Sequence, residues 1–323
     1  MLTMDPLSDV LRAVRLNGAY FYPVEASAPW SVFSEAAREL VPRVLPDAEH
    51  LISYHILLAG SCWGGLNEDS QIEMRPGDVI VFPHGDSHIM SSHRGHVDAS
   101  GKDGTSANRY PRTVYLGPSA ERETSLVCGF LGCDLHPYNP LLASLPRMIH
   151  IAGIANGWLA QFPRQVIDES RQGRAGSESV LTRMAELMFV EVVRRHLESL
   201  PAPRAGWLAG LRDPVVGPAL AHLHEQPDRP WSLPELAKKI ASSRTVLAER
   251  FSQLVGVPPM MYLTRWRLQL AAEQLTHGSA KVAAVGARVG YESEAAFSRA
   301  FKRETGMSPA AWRRARQPAR QSA

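Results

Sequence analysis

The chain has 323 residues, 45% hydrophobic and 21% charged, which is typical of a soluble globular protein long enough for two domains. No apolar run approaches the roughly 20 residues of a membrane-spanning helix, and Asp5 and Asp9 stand where a signal peptide would be basic. We therefore expect a cytoplasmic protein with no membrane partner, whose three cysteines form no structural disulfide.

Charge is divided unevenly along the chain. Residues 231–323 contain 4 Lys and 11 Arg against 6 Glu, a net charge of +9, and the total of +3 leaves −6 for the rest. An acidic body with a basic C-terminal region favours a polyanion as the partner of that region. A basic surface that serves only solubility is the alternative.

The N-terminal part predicts a small β-barrel or sandwich. The runs HILLAGSCWGGL and QIEMRPGDVIVFPHGDSHIMSS are rich in strand-forming residues and broken by Gly and Pro, and RPGD is typical of a turn. From Gly77 to His88 the spacing is G-x5-P-x-G-x2-H. This spacing is similar to the second signature of the cupin β-barrels, in which the final His is a metal ligand.

The first cupin signature is incomplete. Enzymatic cupins have H-x-H and a Glu there, whereas this chain has His55 followed by Leu57 at the second His position. Because the second His is missing, we do not expect an enzyme.

Four residues form a candidate zinc site. Two are the histidines at positions that resemble cupin ligands, and two are cysteines of the later run VCGFLGC: His55, His88, Cys128 and Cys133. Two His and two Cys suit tetrahedral Zn²⁺. The two cysteines are five residues apart and would face opposite sides of a regular strand, so the site requires a bulge at the intervening glycines.

Other arrangements of these side chains remain open. The alternative ligands are His84, His93, His96 and Cys62. Cys128 and Cys133 could equally be small buried hydrophobic residues, or thiolates that respond to oxidants. The candidate effector of the barrel is thus a small molecule, a metal ion or an oxidant.

Three further segments precede the basic region. Residues 96–111 are polar and predict an insertion between strands, with a lid over a pocket as the alternative. Residues 139–200 predict helices, with an apolar stripe at positions 180, 181, 184, 187, 188, 192 and 193. Residues 201–214 are rich in Pro and Gly and predict a linker, followed by a new helix from about residue 215.

The basic region contains the same unit twice. The copies are LPELAKKIASSRTVLAERFSQLVGVPPMMYL and VAAVGARVGYESEAAFSRAFKRETGMSPAAW, and Phe251 aligns with Phe301 at an offset of 50. Before the turn the offset is 49, so the second turn is one residue longer. Each copy predicts helix, tight turn, helix, with a Ser N-cap (Ser242 or Ser243, then Ser293) and a Gly at the end of the second helix. A long helix from Pro259 to about Thr276 separates the copies.

This layout predicts two helix-turn-helix units, whose second helices enter the major groove of DNA. The motifs G-Y-E-S-E-x-x-F-S-R-x-F-K and G-M-S-P-x-x-W-R-R, from Gly290 to Arg314, resemble the DNA-binding domain of the AraC/XylS family of bacterial transcription regulators. The resemblance covers residues 213–314. The runs DPLSDVLRAVRLNGAYF and LVCGFLGCDLHPYNPLL are similar to the cupin-type sensor domain of one branch of that family.

The resemblance implies positions for the DNA-binding residues. The recognition helices would lie at 243–254 and 293–304, and the implied contacts are Ser243, Arg244, Thr245, Ala248, Glu249, Ser293, Glu294, Ala295, Ser298, Arg299 and Lys302. Arg can read guanine and Glu can accept from cytosine. Four basic residues would position phosphates or form surface pairs: Lys302, Arg303, Arg265 and Arg267.

We therefore expect an α+β multidomain protein. A cupin-like barrel with flanking helices, residues 1–200, would sense an effector and dimerise through its helical part at about 139–200. A linker (201–214), an all-α double helix-turn-helix domain (215–316) and a tail (317–323) would follow. The resemblance implies promoter DNA, RNA polymerase and a second copy of the chain as partners. Activation and repression fit these residues equally. The alternative functions are a metal-dependent cupin enzyme with a DNA-binding appendage and an architectural DNA-binding protein.

Overall fold

The computed structural model describes residues 5–14, 16–95, 101–102, 113–134, 137–153, 161–172, 174–199 and 206–316. They form two compact units. The first, here the barrel unit, comprises Leu16–Asp134 and Leu145–Ser199. The second, here the helical unit, comprises Met1–Arg15, Leu135–Ser144 and Leu200–Ala323.

The barrel unit contains two sheets, with strands numbered in chain order. The six-stranded sheet has the spatial order Ile149–Ile151 (β11), Val79–Phe82 (β6), His50–Ala59 (β3), Thr124–Cys133 (β10), Leu16–Ala26 (β1) and Val114–Leu116 (β9). The five-stranded sheet has the order Ile72–Met74 (β5), Cys62–Gly65 (β4), His88–Ser91 (β7), Ser31–Ser34 (β2) and Gly101–Lys102 (β8). Neighbouring strands are antiparallel except for the parallel pairs β1–β9 and β2–β8. The strands predicted from the Gly- and Pro-broken runs are therefore present.

The core of the barrel unit lies between the two sheets. Leu126, Cys128 and Phe130 of β10 face this core, while Val127 and Leu131 are buried on the opposite face. Because the helix Ser177–Ser199 (α5) packs against β1, β10 and β11, both faces of β10 are covered. This explains why β10 is a nearly continuous apolar run rather than an alternating one.

The segment 139–200 is less helical than predicted. It contains the helices Pro140–Ser144 (α3), Phe162–Gln172 (α4) and α5, but β11 lies between the first two. In β11 the two isoleucines are buried and His150 between them is exposed, which is the alternation of a half-buried strand, and β11 extends the sheet beside β6. Three residues are too few for the alternating pattern of a strand to be recognised in the sequence, so β11 was not predicted.

The apolar stripe of α5 is only partly buried. Leu181, Met188, Val192 and Val193 pack inward, together with neighbouring residues. Val180 and Leu187, which belong to the same predicted stripe, are 45% and 55% exposed. The remaining helix of the barrel unit is Ala37–Val44 (α2). Of the predicted insertion at 96–111, only β8 falls within the described residues.

The helical unit contains the remaining helices. They are Pro6–Val14 (α1), α3, Trp207–Arg212 (α6), Val216–Glu225 (α7), Leu233–Lys239 (α8), Arg244–Val255 (α9), Pro259–His277 (α10), Val282–Arg288 (α11), Glu294–Thr305 (α12) and Pro309–Arg316 (α13). Within the described part of the chain, no helix is both long and apolar enough to span a membrane.

The structure differs from the predicted domain bounds in two places. The helices α1 and α3, which the sequence assigns to the sensor, group with the helical unit, where α1 packs against α3, α7 and α10. The predicted linker contains α6, because Trp207 is buried and its Nε1–H donates to the hydroxyl of Tyr262 at 2.8 Å. Residues 201–205 lie outside the described part of the chain.

Candidate nucleic-acid interface and barrel pocket

The first copy of the repeat is formed by α8 and α9. Ser232 and Glu235 form a reciprocal capping box at the start of α8. Ser243 is the N-cap of α9, and its side chain accepts a hydrogen bond from the backbone N–H of Val246 at 3.1 Å. Phe251 is fully buried on the inner side of α9. The helix ends at Gly256, whose φ of 81° is the left-handed conformation of a helix C-cap.

The second copy, α11 and α12, repeats this construction. Ser293 caps α12 by accepting from the backbone N–H of Ala296 at 3.2 Å. Phe297 and Phe301 are fully buried, and Gly306 ends the helix at φ 76°. The same local signals therefore produce the same helix ends in both copies.

The turns between the paired helices differ by one residue, as predicted. Residues 240–243 join α8 to α9, whereas residues 289–293 join α11 to α12. Each turn contains a residue with positive φ, Ala241 at 54° and Gly290 at 84°. A Cβ at Gly290 would lie 2.4 Å from the backbone oxygen of Asp228, so the second turn requires glycine while the first tolerates alanine.

The structure places the implied DNA-reading residues on the outer faces of α9 and α12. The exposed ones are Ser243, Arg244, Thr245, Glu249, Ser293, Glu294, Ala295, Arg299 and Lys302, and the half-buried ones are Ala248 and Ser298. Except for Lys302 in the last turn of α12, they lie at the N-cap or in the first half of each helix, away from the buried phenylalanines. This is the arrangement that a helix in the major groove needs.

Two of the implied phosphate contacts have other partners. Arg265 pairs with Glu304 at 3.1 Å. Arg267 donates to three backbone carbonyl oxygens, those of Pro227, Arg229 and Gly290, and so links the segment before α8 to the turn between α11 and α12. Sequence reasoning could not separate these structural arginines from free ones, because their acceptors are distant in sequence.

The helix α10 joins the two copies. Its 19 residues span about 28 Å. Tyr262 near its start packs edge-on against Phe251 of the first copy at 5.7 Å. Leu268 and Leu275 further along belong to the core formed around Phe301 of the second copy. Both copies are therefore anchored on one continuous helix.

A second candidate site is a pocket in the core of the barrel unit. The empty space within it, counting the part open to solvent, is about 400 Å³. Its lining residues are Tyr22, Val24, Trp30, Val32, Ser34, His55, Met90, Val114, Leu116, Leu126 and Cys128. No Asp, Glu, Lys or Arg occurs among these residues, so the pocket is apolar with a few polar atoms.

Two of the predicted metal ligands form a hydrogen-bonded pair. Nε2 of His55 lies 2.8 Å from Nε2 of His88, and Nδ1 of His88 lies 3.0 Å from the backbone oxygen of Asp86. Burial lowers the pKa of His88 to about 4 and the pKa of His55 well below its usual value. Both rings are therefore neutral at pH 7.

The network fixes the tautomers of this pair. A carbonyl oxygen only accepts, so the proton of His88 is on Nδ1 and its Nε2 is an acceptor. His55 must then donate from Nε2, which leaves its Nδ1 as an unprotonated acceptor. That Nδ1 is buried and has no hydrogen-bond partner among the described residues.

The structure does not bring the four predicted zinc ligands together. From Leu126 to Cys133, β10 pairs with β3 in regular register, so the bulge that would turn both cysteines inward is missing. Cys128 lines the pocket and is the cross-strand neighbour of His55, whereas Cys133 is buried on the other face of β10. The described residues contain no group of three or more His, Cys, Asp or Glu side chains that could hold a metal ion. The described side chains therefore do not supply the four ligands of a tetrahedral zinc site.

The alternative ligands are engaged elsewhere. Nε2 of His84 lies 2.8 Å from the backbone oxygen of Leu145, and Nδ1 of His93 lies 2.9 Å from Oγ of Ser92. Cys62 is buried, and burial raises its thiol pKa to about 12. Burial also raises the pKa of the Cys133 thiol. Such thiols react poorly with oxidants, which require thiolate. His96 lies outside the described residues.

Both halves of the chain match known families. A family profile described as a cupin matches residues 5–198, and one described as a helix-turn-helix domain matches residues 236–315. These matches agree with the β-sheet architecture of the barrel unit and with the two helix pairs of the helical unit.

The similar proteins are transcription regulators. A putative AraC-like transcription regulator of Streptomyces antibioticus is 33% identical over 314 residues, which is 96% of this chain and 99% of that protein. The transcriptional regulator AlkR of Acinetobacter baylyi is 28% identical over 96% of this chain and 98% of its own length. Among solved structures, the C-terminal domain of AraT, a response regulator from Geobacillus stearothermophilus, is 28% identical and covers 34% of this chain and 93% of that domain, with a TM-score of 0.33.

Proposed function

Because this chain belongs to the family of AraC-like transcription regulators, we propose that α9 and α12 read promoter DNA and that the barrel pocket controls this binding by taking up a small effector. The chain is a DNA-binding regulator and not an enzyme, in keeping with its relatives. The observation that carries the proposal is the pair of matched recognition helices, each with exposed polar and charged residues at its N-terminal end.

The charge of the chain supports the assignment of DNA to the helical unit. The region 231–323 carries a net charge of +9, while the remainder carries −6. Positive charge provides the sequence-independent part of DNA binding through release of counterions. The side chains of α9 and α12 would then provide base contacts, as Arg299 to a guanine or Glu294 to a cytosine.

A competition experiment tests this function. Duplexes enriched for binding to the intact chain are compared with scrambled duplexes of the same composition at physiological salt. A sequence-specific regulator should prefer the enriched duplexes by about 10³-fold or more. Equal competition by both would instead support an architectural DNA-binding protein.

The chain has a direct covalent route from the pocket to the helical unit. The pocket is lined by Tyr22 of β1 and Cys128 of β10. The first of these strands follows α1 and the second precedes Tyr138, and both flanking segments belong to the helical unit. Occupation of the pocket would therefore act on two strands whose neighbouring segments in the chain contact α10, the helix that joins the two copies.

Gln269 of α10 holds both segments. Its side-chain oxygen accepts from the backbone N–H of Tyr138, and its side-chain nitrogen donates to the backbone oxygen of Ala13, each at 3.0 Å. The side chain is only 4% exposed. We infer that this amide transmits the state of the barrel to α10 by fixing or releasing α1 and the segment around Tyr138.

Replacing Gln269 with leucine should loosen these segments. The variant removes the side-chain partner of one buried and one partly buried backbone group, at a cost of about 1–3 kcal/mol each. We expect faster amide hydrogen exchange in residues 6–14 and at Tyr138, measured by mass spectrometry. Gln274→Leu is the matched control on the same helix, because the side-chain oxygen of Gln274 is buried without a hydrogen-bond partner in the described structure. Equal exchange in both variants would contradict the inferred role.

We further propose that α5 forms a homodimer contact. Val180 and Leu187 are large apolar residues, both exposed and seven residues apart, so they lie on the same side of the helix. A second copy of the chain would cover them.

Sedimentation equilibrium should give a dimer for the intact chain and for Leu187→Met, and a monomer for Leu187→Glu. An unchanged mass for Leu187→Glu would exclude this contact. Contact with RNA polymerase is proposed from the family alone.

A further inference from the structure

We propose that the barrel pocket binds a neutral, mainly apolar small molecule that carries a hydroxyl group, and that this hydroxyl donates its hydrogen to Nδ1 of His55. The inference rests on the proposed sensing function, and it names the chemical class of the molecule sensed. It is carried by three features of the pocket: its apolar lining, one buried acceptor and one buried donor.

The lining excludes charged ligands. Aliphatic and aromatic side chains such as Val24, Leu116 and Tyr22 form most of its surface, and the described lining contains no Asp, Glu, Lys or Arg. An ionised carboxylate or ammonium group would therefore lose its hydration and gain no counter-charge in the pocket, which is strongly unfavourable in an apolar environment. The ligand is expected to be uncharged when bound.

Nδ1 of His55 supplies the acceptor. The hydrogen bonds from His88 to Asp86 and from His55 to His88 place the proton of His55 on Nε2. The lone pair of Nδ1 is left on a buried side chain that lines the pocket, without a partner among the described residues. Buried polar atoms are normally hydrogen-bonded, so this acceptor indicates a ligand group that donates.

Trp30 supplies a donor in the same lining. Its Nε1–H is buried and has no acceptor among the described residues. An indole N–H can only donate. A hydroxyl group has both a hydrogen to give to His55 and an oxygen that can accept from Trp30. A plain hydrocarbon satisfies neither atom, and a carboxylate offers no hydrogen to His55.

Three molecules of matched shape test the inference: phenol, toluene and benzoate. Binding to the intact chain is measured by isothermal titration calorimetry at pH 7, and cyclohexanol with methylcyclohexane repeats the comparison for a saturated ring. We expect each hydroxyl compound to bind about tenfold more tightly than its hydrocarbon partner, and benzoate to bind more weakly than phenol. Equal binding of hydroxyl and hydrocarbon partners, tighter binding of benzoate, or no binding by any of the five would overturn the proposal.

Two variants assign the effect to the named atoms. His55→Phe keeps a ring beside Phe82 but has no acceptor, and Trp30→Phe has no donor. The preference for phenol over toluene should disappear in His55→Phe and become smaller in Trp30→Phe. Thermal unfolding curves of both variants establish that they fold, and the wild-type comparison stands without them. An undiminished preference for phenol in a folded His55→Phe chain would refute the role of Nδ1.

The affinity for enriched duplex DNA, with and without phenol, separates this inference from the proposed function. Binding of the hydroxyl compounds without any change in DNA affinity would retain the ligand class and reject effector control. Specific DNA binding by a chain that takes up none of the five compounds would retain the DNA-binding function and reject the ligand class.

Discussion

Phe301→Ala is expected to destabilise the helical unit by about 3–5 kcal/mol and to abolish DNA binding by α12. The side chain is fully buried and packs edge-on against Phe297 at 5.6 Å and Trp312 at 5.5 Å. Its removal leaves a cavity at the point where α10, α12 and α13 meet. Urea unfolding followed by far-UV circular dichroism measures the loss.

The repeat supplies a matched comparison for this variant. Phe251 occupies the equivalent position of the first copy and is also fully buried, so Phe251→Ala should cost a similar amount. Lys302, next to Phe301, is exposed, and Lys302→Ala should change the free energy of unfolding by less than about 0.5 kcal/mol. Equal stability of the Phe301→Ala and Lys302→Ala chains would contradict the packing described here.

Arg299→Ala should weaken specific DNA binding by about 1–3 kcal/mol and relax the preference at one base position. Arg299 is exposed on the outer face of α12, in the helix whose N-cap is Ser293. A guanidinium at this place can donate two hydrogen bonds to a guanine in the major groove. Affinities for a set of single-base variants of an enriched duplex measure both effects.

Lys302→Ala is the control for base reading. As a phosphate contact it should weaken binding to all sequences alike and reduce the slope of log K against log salt by about 1. Arg299→Ala should instead change the order of preference among the duplexes. An unaltered order of preference for Arg299→Ala would remove this residue from the reading surface.

Local signals made the helical unit predictable in detail. Ser at an N-cap, Gly after the last turn and phenylalanines at helical spacing act over a few residues, so Ser293, Gly306 and Phe301 could be assigned their places from sequence. The same reasoning missed α6, because Pro and Gly dominate its surroundings. Its stability depends on a contact between Trp207 and Tyr262, 55 residues apart in the chain.

The barrel pocket was predictable only in part. The cupin-like spacing brought His55 and His88 into one barrel, and the structure places them in direct contact. The prediction that Cys133 joins these histidines was wrong because β10 has no bulge after Leu126. Strand alternation therefore keeps this cysteine on the opposite face. The position of the proton on His55 depends on the backbone oxygen of Asp86, and no sequence pattern reveals such a contact.

Domain membership also depended on distant contacts. The helix α1 begins the chain before the first barrel strand, and sequence order alone assigns it to the sensor. Its docking in the helical unit includes a hydrogen bond from Gln269 to Ala13, 256 residues apart. Polar pairs of this kind give no periodic signal in the sequence.

Both recognition helices are expected to read one DNA duplex together, because both copies are anchored on α10. Hydroxyl-radical footprinting of the intact chain on an enriched duplex tests it most directly. We expect two protected segments on the same face of the DNA, one helical turn or ~10 base pairs apart, of which Arg299→Ala weakens one. A single protected segment, or two whose separation bears no relation to the helical turn, would contradict joint reading by α9 and α12.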